Sequence, residues 1–347
     1  MELSNRHILD CLKKGAPFAL AAIISHKGST PRTSGSRMIV LPDRTILGTI
    51  GGGLIEAQVM DTCLELIPNN TCRIQSFTLN QELKDGLDMV CGGNLTVLME
   101  TLAPEPELIA IYQAMVDLEQ AGKKGVLVSK IVGTSQADFT LQKTLVASDA
   151  TMTGSCVIPK PLLDDIGDNR FSGSFPIIHS AGLEEFILQP LVLADTIFIF
   201  GAGHVGFQLA KMAHLTGFST VVIDDREEFA NPKRFPHARA VRVVTDFAAA
   251  FDSLTIDARA YIVILTRGHL HDQTVLEGAL HTHPAYIGMI GSRTKRDKIY
   301  ANLRKKGVSQ DNLNAVYSPV GLAIGAQTPA EISVSIMAQI IQIRAGA

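Results

Sequence analysis

The chain has 347 residues, room for about two domains, with 46% hydrophobic and 19% charged residues and a formal net charge of −3. A charge that small, with no basic stripe, leaves no electrostatic footprint for nucleic acid or for an anionic membrane surface. No run reaches the roughly 20 apolar residues of a membrane-spanning helix, and MELSNRHILDCLKKG lacks the apolar core of a signal peptide, so a cytoplasmic location is expected.

In chain order, Ser4 can cap a first helix carrying Ile8, Leu9 and Leu12, with Gly15 as its stop. FALAAII (18–24) reads as a buried strand, and SHKGSTPRTSG (25–35) as a loop broken by Pro31 and two glycines. RMIVLP and TILGTI read as a strand pair turning at Asp43, followed by Gly51, Gly52 and Gly53 and a helix over LIEAQVMDTCLELI. RIQSFTL and LTVLMETL are further strands, separated by a loop ending in Cys91-Gly92-Gly93. A helix is expected around IAIYQAMVDLEQAG (109–122), then short β-like runs, and PKPLLDDIGDNRFSGSF (159–175) has the chemistry of an exposed crossing loop.

From Thr196 the pattern sharpens. TIFIF, TVVID, AVRVV, YIVIL and AYIGMI are apolar runs separated by helical or loop segments, which implies βαβ units and a parallel sheet with helices on both faces. Thr328-Pro329-Ala330-Glu331 forms a capping box before a last helix carrying Ile332, Ile336, Met337, Ile340 and Ile341. The fold class expected is α/β, with an N-terminal α+β domain over 1–190 and a Rossmann-like domain over 191–347.

GAGHVG (201–206) follows a strand, opens a helix, and precedes a second strand ending in Asp224, 23 residues beyond Gly201; this is the context the dinucleotide fingerprint requires. Gly201 allows a tight turn, Gly203 a close backbone approach to a pyrophosphate, and Gly206 close helix–strand packing. The helix start at His204 offers amide donors to phosphate. Asp224 is suited to a ribose hydroxyl and Arg226 to an adenine face. In the competing reading the glycines serve packing alone.

TRGHLHD (266–272) follows YIVIL, so His269, His271 and Asp272 belong at the strand ends that line the crevice of an open parallel sheet. Histidines and a carboxylate there suit a metal or a proton transfer; a polar loop with Asp272 as a helix cap fits equally. In IGMIGSRTKR, Ser292 and Arg293 can hold an anion or simply begin a solvated basic helix. In the N-terminal half, Arg32 and Arg37 of GSTPRTSGSR are forked donors for phosphate or carboxylate, and Gly51, Gly52 and Gly53 form an anion nest. Glu56 is either a site carboxylate or a favourable charge at a helix dipole. The five cysteines (Cys11, Cys63, Cys72, Cys91 and Cys156) form no C-x-x-C pair, and most read as buried reduced thiols. Cys91, beside two glycines, is either a stabilised thiolate or an inert turn residue.

Taken together, GSTPRTSGSRMIV, GTIGGGLIE, VCGGN, GAGHVG, VVIDDREEFANPKRFP, GHLHD, YIGMIGSRTKR and PVGLAIGAQTPAEISVSI resemble the XdhC/CoxI family of molybdenum-hydroxylase maturation proteins, with least resemblance over 104–190. The resemblance implies an XdhC/CoxI-type N-terminal domain before the Rossmann domain, and an accessory chaperone rather than a catalyst. The implied ligand is molybdenum cofactor, as molybdopterin or its dinucleotide form. The implied partners are an apo molybdenum hydroxylase of the xanthine dehydrogenase type and a cysteine desulfurase that sulfurates the cofactor; a homodimer is the expected assembly. One departure stands out: the family's T-H-G-H-x-H-D loop reads TRGHLHD here, with Arg267 in place of a histidine, which weakens any three-histidine metal site. Two other readings stay open. An NAD(P)-dependent oxidoreductase rests on the Rossmann fingerprint, and a metal-assisted hydrolase or transferase rests on the His-Asp loop.

Overall fold

A computed structural model describes residues 3–78, 93–133, 137–168, 170–171 and 176–346. The chain divides into two compact units, Met1–Leu193 and Ala194–Ala347.

The first unit contains two antiparallel sheets. Strands β1 (Phe18–Lys27), β2 (Arg37–Val40), β3 (Ile46–Gly48), β4 (Cys72–Thr78) and β5 (Asn94–Leu102) assemble in the order β3-β2-β1-β5-β4. Helix α2 (Gly53–Leu66) covers one face, burying Ile55, Val59 and Cys63 against Ala19, Ala21 and Ile23 of β1. Helices α1 (Asn5–Lys13) and α3 (Pro106–Ala121) cover part of the other, where Ile8, Leu12, Tyr112 and Met115 meet Phe18 and Leu20. Strand β1 is therefore buried on both faces, and so its sequence is a continuous apolar run rather than an alternation.

The second sheet comprises β6 (Gly125–Val132), β7 (Thr140–Ala147), β8 (Met152–Gly154), β9 (Ile177–Ala181) and β10 (Glu184–Pro190), ordered β8-β7-β6-β10-β9. Residues 160–167, expected as loop, form helix α4 (Lys160–Gly167). Pro161 lies in the tolerated first turn of that helix, while Leu162, Leu163 and Ile166 turn towards Val128, Phe186 and Leu188; this apolar spacing outweighs the local loop chemistry. Between the sheets, Cys72 and Phe139 exchange backbone hydrogen bonds of 2.8 and 3.0 Å. Nearby, buried Glu100 of β5 is ion-paired to buried Lys143 of β7 at 2.6 Å.

The second unit is built on a parallel sheet of β11 (Thr196–Phe200), β12 (Ser219–Asp224), β13 (Ala240–Val243), β14 (Ala260–Ile264) and β15 (Tyr286–Met289), ordered β13-β12-β11-β14-β15. Helices α6 (His269–Leu280) and α7 (Arg293–Lys305) lie on one face, joined by α8 (Gln310–Asn314). On the other face are α5 (His204–Leu215) and α9 (Pro329–Arg344). All residues of β11 and β14 are buried, as a strand covered on both faces requires. Strand order reverses between β11 and β14, and in such sheets ligands bind outside the carboxyl ends of the strands at that reversal. Among the described residues, no helix is long and apolar enough to cross a membrane.

Candidate functional site: a glycine-lined crevice and an N-terminal loop cluster

Each glycine of GAGHVG has its own environment. Gly201 turns out of β11 at φ +119°, and a side chain there would collide with the Leu265 carbonyl, so only glycine fits. A side chain at Gly206 would run into the Gly201 carbonyl oxygen, which fixes how closely α5 approaches β11. Gly203 differs: its φ is −68°, and a Cβ there would meet nothing within 4 Å. The open space over Gly203 borders the first turn of α5, where exposed His204 begins the helix.

Helix caps divide the unit in a telling way. Ser292, Ser309 and Thr328 cap α7, α8 and α9 with side-chain hydrogen bonds. The helices that follow the two strands at the reversal, α5 and α6, start at Gly203 and Gly268 with no side-chain cap. Their first amides carry the partial positive charge of a helix N-terminus and suit an anion.

Asp224 ends β12 almost fully buried. Its Oδ2 accepts from the Ala202 amide at 2.6 Å, and Arg226 donates to both oxygens, Nε at 2.8 Å and Nη2 at 3.0 Å. Burial pushes the carboxyl up, but the hydrogen bonds from Arg226 and Ala202 outweigh it and hold Asp224 below the usual carboxylate range. Arg226, expected against an adenine face, has its guanidinium carbon 3.8 Å from the Phe229 ring centroid. Arg234, which the motifs of the sequence do not single out, donates to the Ala202 carbonyl at 3.1 Å and the Phe229 carbonyl at 2.8 Å, bracing the glycine turn.

After β14, Thr266 donates to Asp272 Oδ1, and the Lys295 ammonium pairs with Asp272 Oδ2. Asp272 has no solvent exposure, and burial pushes its carboxyl up despite Lys295 and Thr266. His269 and His271 are exposed, with the His271 ring 5.2 Å from Phe247. Among the described residues no group of three His, Cys, Asp or Glu side chains could hold a metal ion. Ser292 spends its hydroxyl on the Lys295 amide at 3.2 Å, and Arg293 is exposed beside it.

In the first unit the glycine nest is filled from within. Glu56 Oε2 accepts from Thr49 Oγ1 at 2.5 Å, the Gly52 amide at 3.1 Å and the Ile50 amide at 3.2 Å, while the Gly51 amide donates to Thr49 Oγ1. Glu56 thus caps the turn that begins α2. A Cβ at Gly51 would lie 3.2 Å from Pro31 and 3.8 Å from Arg32, and one at Gly93 would lie 2.6 Å from the Ser29 carbonyl. The 28–32 loop, the triple-glycine turn and the end of the CGGN motif therefore meet. Arg32 is exposed there. Arg37, grouped with it in the sequence, instead donates to Asn5 Oδ1 at 2.7 Å and the Leu3 carbonyl at 2.8 Å, tying the chain start to β2. His26, which carries no motif signal either, accepts the Ser34 amide at Nδ1 and pins the loop. Cys91 lies outside the described residues.

Comparison with known proteins gives consistent matches along the chain. Residues 11–78 match the family model described as XdhC and CoxI family, and residues 197–340 match the model described as XdhC Rossmann domain. A relative in Bacillus subtilis (strain 168), named as a probable xanthine dehydrogenase component, is 28% identical, over 99% of this chain and 98% of its own length. Molybdenum cofactor insertion chaperone PaoD of Escherichia coli (strain K12) is 21% identical, over 98% of this chain and 87% of its own. Uncharacterized protein YqeB of the same organism is 25% identical over 96% of this chain, which spans only 44% of that longer protein. A crystal structure described as a xanthine dehydrogenase from Bacillus halodurans superposes with a TM-score of 0.76 at 27% identity, covering 99% of this chain and 96% of that one.

Proposed function

This chain belongs to the XdhC and CoxI family, and from that premise we propose that it is a maturation chaperone for molybdenum cofactor. It binds the cofactor as cargo and supports its entry into a molybdenum hydroxylase of the xanthine dehydrogenase type. The name of the PaoD relative, a molybdenum cofactor insertion chaperone, supports this reading, as does that of the Bacillus subtilis relative. The finer part of the proposal is that the cargo is the sulfurated form, supplied with a cysteine desulfurase in the cytoplasm.

The observation that carries the proposal is the cradle at Gly203: open space for a ligand atom over the uncapped start of α5, at the strand-order reversal. Molybdopterin carries a terminal phosphate and its dinucleotide forms a bridging pyrophosphate, and bare helix amides complement either group. The cargo brings the dithiolene-bound molybdenum that the client uses; this chain's residues bind and orient its anionic end. In the second unit those residues are Gly203, His204 and Gly268, with Arg234 and Asp224 holding the turn in shape. Taken by itself, the first unit exposes Arg32, a forked donor for a carboxylate or phosphate. Cys91 enters on chemistry alone, since a thiolate suits a soft metal.

The NAD(P)-dependent oxidoreductase reading has less support. The carboxylate it would use for a ribose hydroxyl, Asp224, already carries Ala202 and Arg226 on its oxygens. The experiment is cofactor transfer to an apo molybdenum hydroxylase under reducing, anaerobic conditions, with and without this protein. A pterin released on denaturing the purified chaperone, together with faster activation of the client, is the expected result. Saturable NAD(H) binding with substrate turnover, and no pterin, would replace this proposal with the oxidoreductase.

A further inference from the structure

We propose that Lys295 is the side-chain cation of the Rossmann crevice, reading a phosphate of the bound ligand, and that Asp272 and Thr266 are the residues that position it. This rests on the crevice being the phosphate-holding end of the proposed site.

A continuous line of contacts runs from the glycine turn to this ammonium. The Gly201 turn abuts Leu265 and Thr266, where a Cβ on Gly201 would lie 3.0 Å from the Thr266 amide nitrogen. Thr266 donates to one oxygen of Asp272, and Lys295 pairs with the other. Lys295 stands in the first turn of α7 but does not extend into solvent from it. Its stem folds back over Gly291, with Cδ 3.0 Å from where a Cβ on that glycine would be. The ammonium is thereby drawn to the carboxyl end of β14, beside the uncapped start of α6.

The cost of this arrangement argues against a purely structural role. Asp272 is wholly buried in the first turn of α6. Ion pairs in such places add little stability over apolar residues of similar volume. An ammonium has three N–H donors, and the Lys295 side chain keeps 26% exposure while Asp272 keeps none. The carboxylate fixes the head, and on this proposal the part of the side chain left exposed meets an incoming anion. Lysine suits this task as a point charge for phosphate. Arg293, exposed two residues earlier, is not held by the buried carboxylate, so the geometry selects Lys295 over the arginine that the sequence draws attention to.

Inorganic pyrophosphate is the probe, titrated into the full chain and followed through the 1H–15N resonances of Gly203 and Gly268. The variants are Lys295→Arg, Lys295→Met and the pair Asp272→Asn with Lys295→Met. The pair avoids stranding a buried charge and keeps the test open should Lys295→Met alone fail to fold. Parent and Lys295→Arg should bind with similar affinity and move both glycine resonances. The paired variant should bind at least roughly tenfold more weakly, with a smaller dependence on ionic strength. Equal affinity in the paired variant overturns the proposal, and so does a parent chain in which neither resonance moves. Pterin retention is scored separately. A chain that binds pyrophosphate through Lys295 yet never retains pterin keeps this inference and defeats the chaperone reading; one that retains pterin equally with and without Lys295 does the reverse.

Discussion

Replacing the glycines of GAGHVG one at a time by alanine separates folding from binding within a six-residue motif. At Gly206 the new methyl is driven into the Gly201 carbonyl, where backbone meets backbone and neither can yield. Overpacking of this kind costs about 1–3 kcal/mol or more, which lowers the melting temperature of a domain this size by roughly 2–12 °C. At Gly203 the methyl enters open space and the φ of −68° is ordinary for alanine. There the loss of a glycine N-cap and the reduced freedom of the unfolded chain nearly cancel, leaving a change within about 1 kcal/mol. The same methyl fills the ligand's place, so affinity should fall by at least about 1.4 kcal/mol, or tenfold. The chain has no tryptophan, and four of its five tyrosines (Tyr261, Tyr286, Tyr300 and Tyr317) belong to the second unit, so tyrosine emission on heating reports that unit's unfolding. Pyrophosphate and pterin retention report binding. The reasoning fails if Gly203→Ala melts as low as Gly206→Ala, or if it binds both ligands like the parent.

Four further outcomes are expected. Glu56→Gln should weaken the three hydrogen bonds at the triple-glycine turn and destabilise the first unit by about 1–3 kcal/mol, read from its urea midpoint; an unmoved midpoint would refute the capping role. Lys143→Met should cost about 3–5 kcal/mol by stranding buried Glu100, whereas Lys143→Met with Glu100→Leu should come close to neutral; equal losses in both would deny that the charge is the cause. Asp224 titrates below its ordinary 3.8, so it contributes stability above that value, lost as pH falls through the lower folded value. Asp224→Asn should therefore flatten the acid limb of the second unit's stability curve, and parallel curves would contradict this. Cys91→Ser should lower pterin retention without changing either unit's melting, and unchanged retention removes the thiol from the proposal.

Where local rules and tertiary demands agree, the sequence is easy to read. TIFIF, GAGHVG and TVVID each announce their element, and the Thr328 capping box forms with Glu331 as its spacing requires. The stretch between α3 and β11 is harder because its pairings are distant or its cues conflict. Strand β6 pairs with β10 some sixty residues on, and α4 hides a short apolar face among proline, aspartate and glycine. The site divides the same way. Glycines declare themselves by type, but Thr266, Asp272 and Lys295 come from a loop and two helices, and Arg234 acts by reaching back to the glycine turn. No spacing rule links such partners. Glu56 has a spacing that suits both a ligand and a cap, and only its three hydrogen bonds distinguish them.

The Glu56 carboxylate, seated on the amides of Ile50 and Gly52, acts as a tethered competitor for its own nest. A group held by a short tether competes at an effective concentration of roughly millimolar or above, so dilute inorganic phosphate or sulfate cannot displace it. The turn is therefore blind to the small anions of its surroundings. Only a molecule already anchored by other contacts, and so present at comparable local concentration, can compete with that carboxylate for the amides.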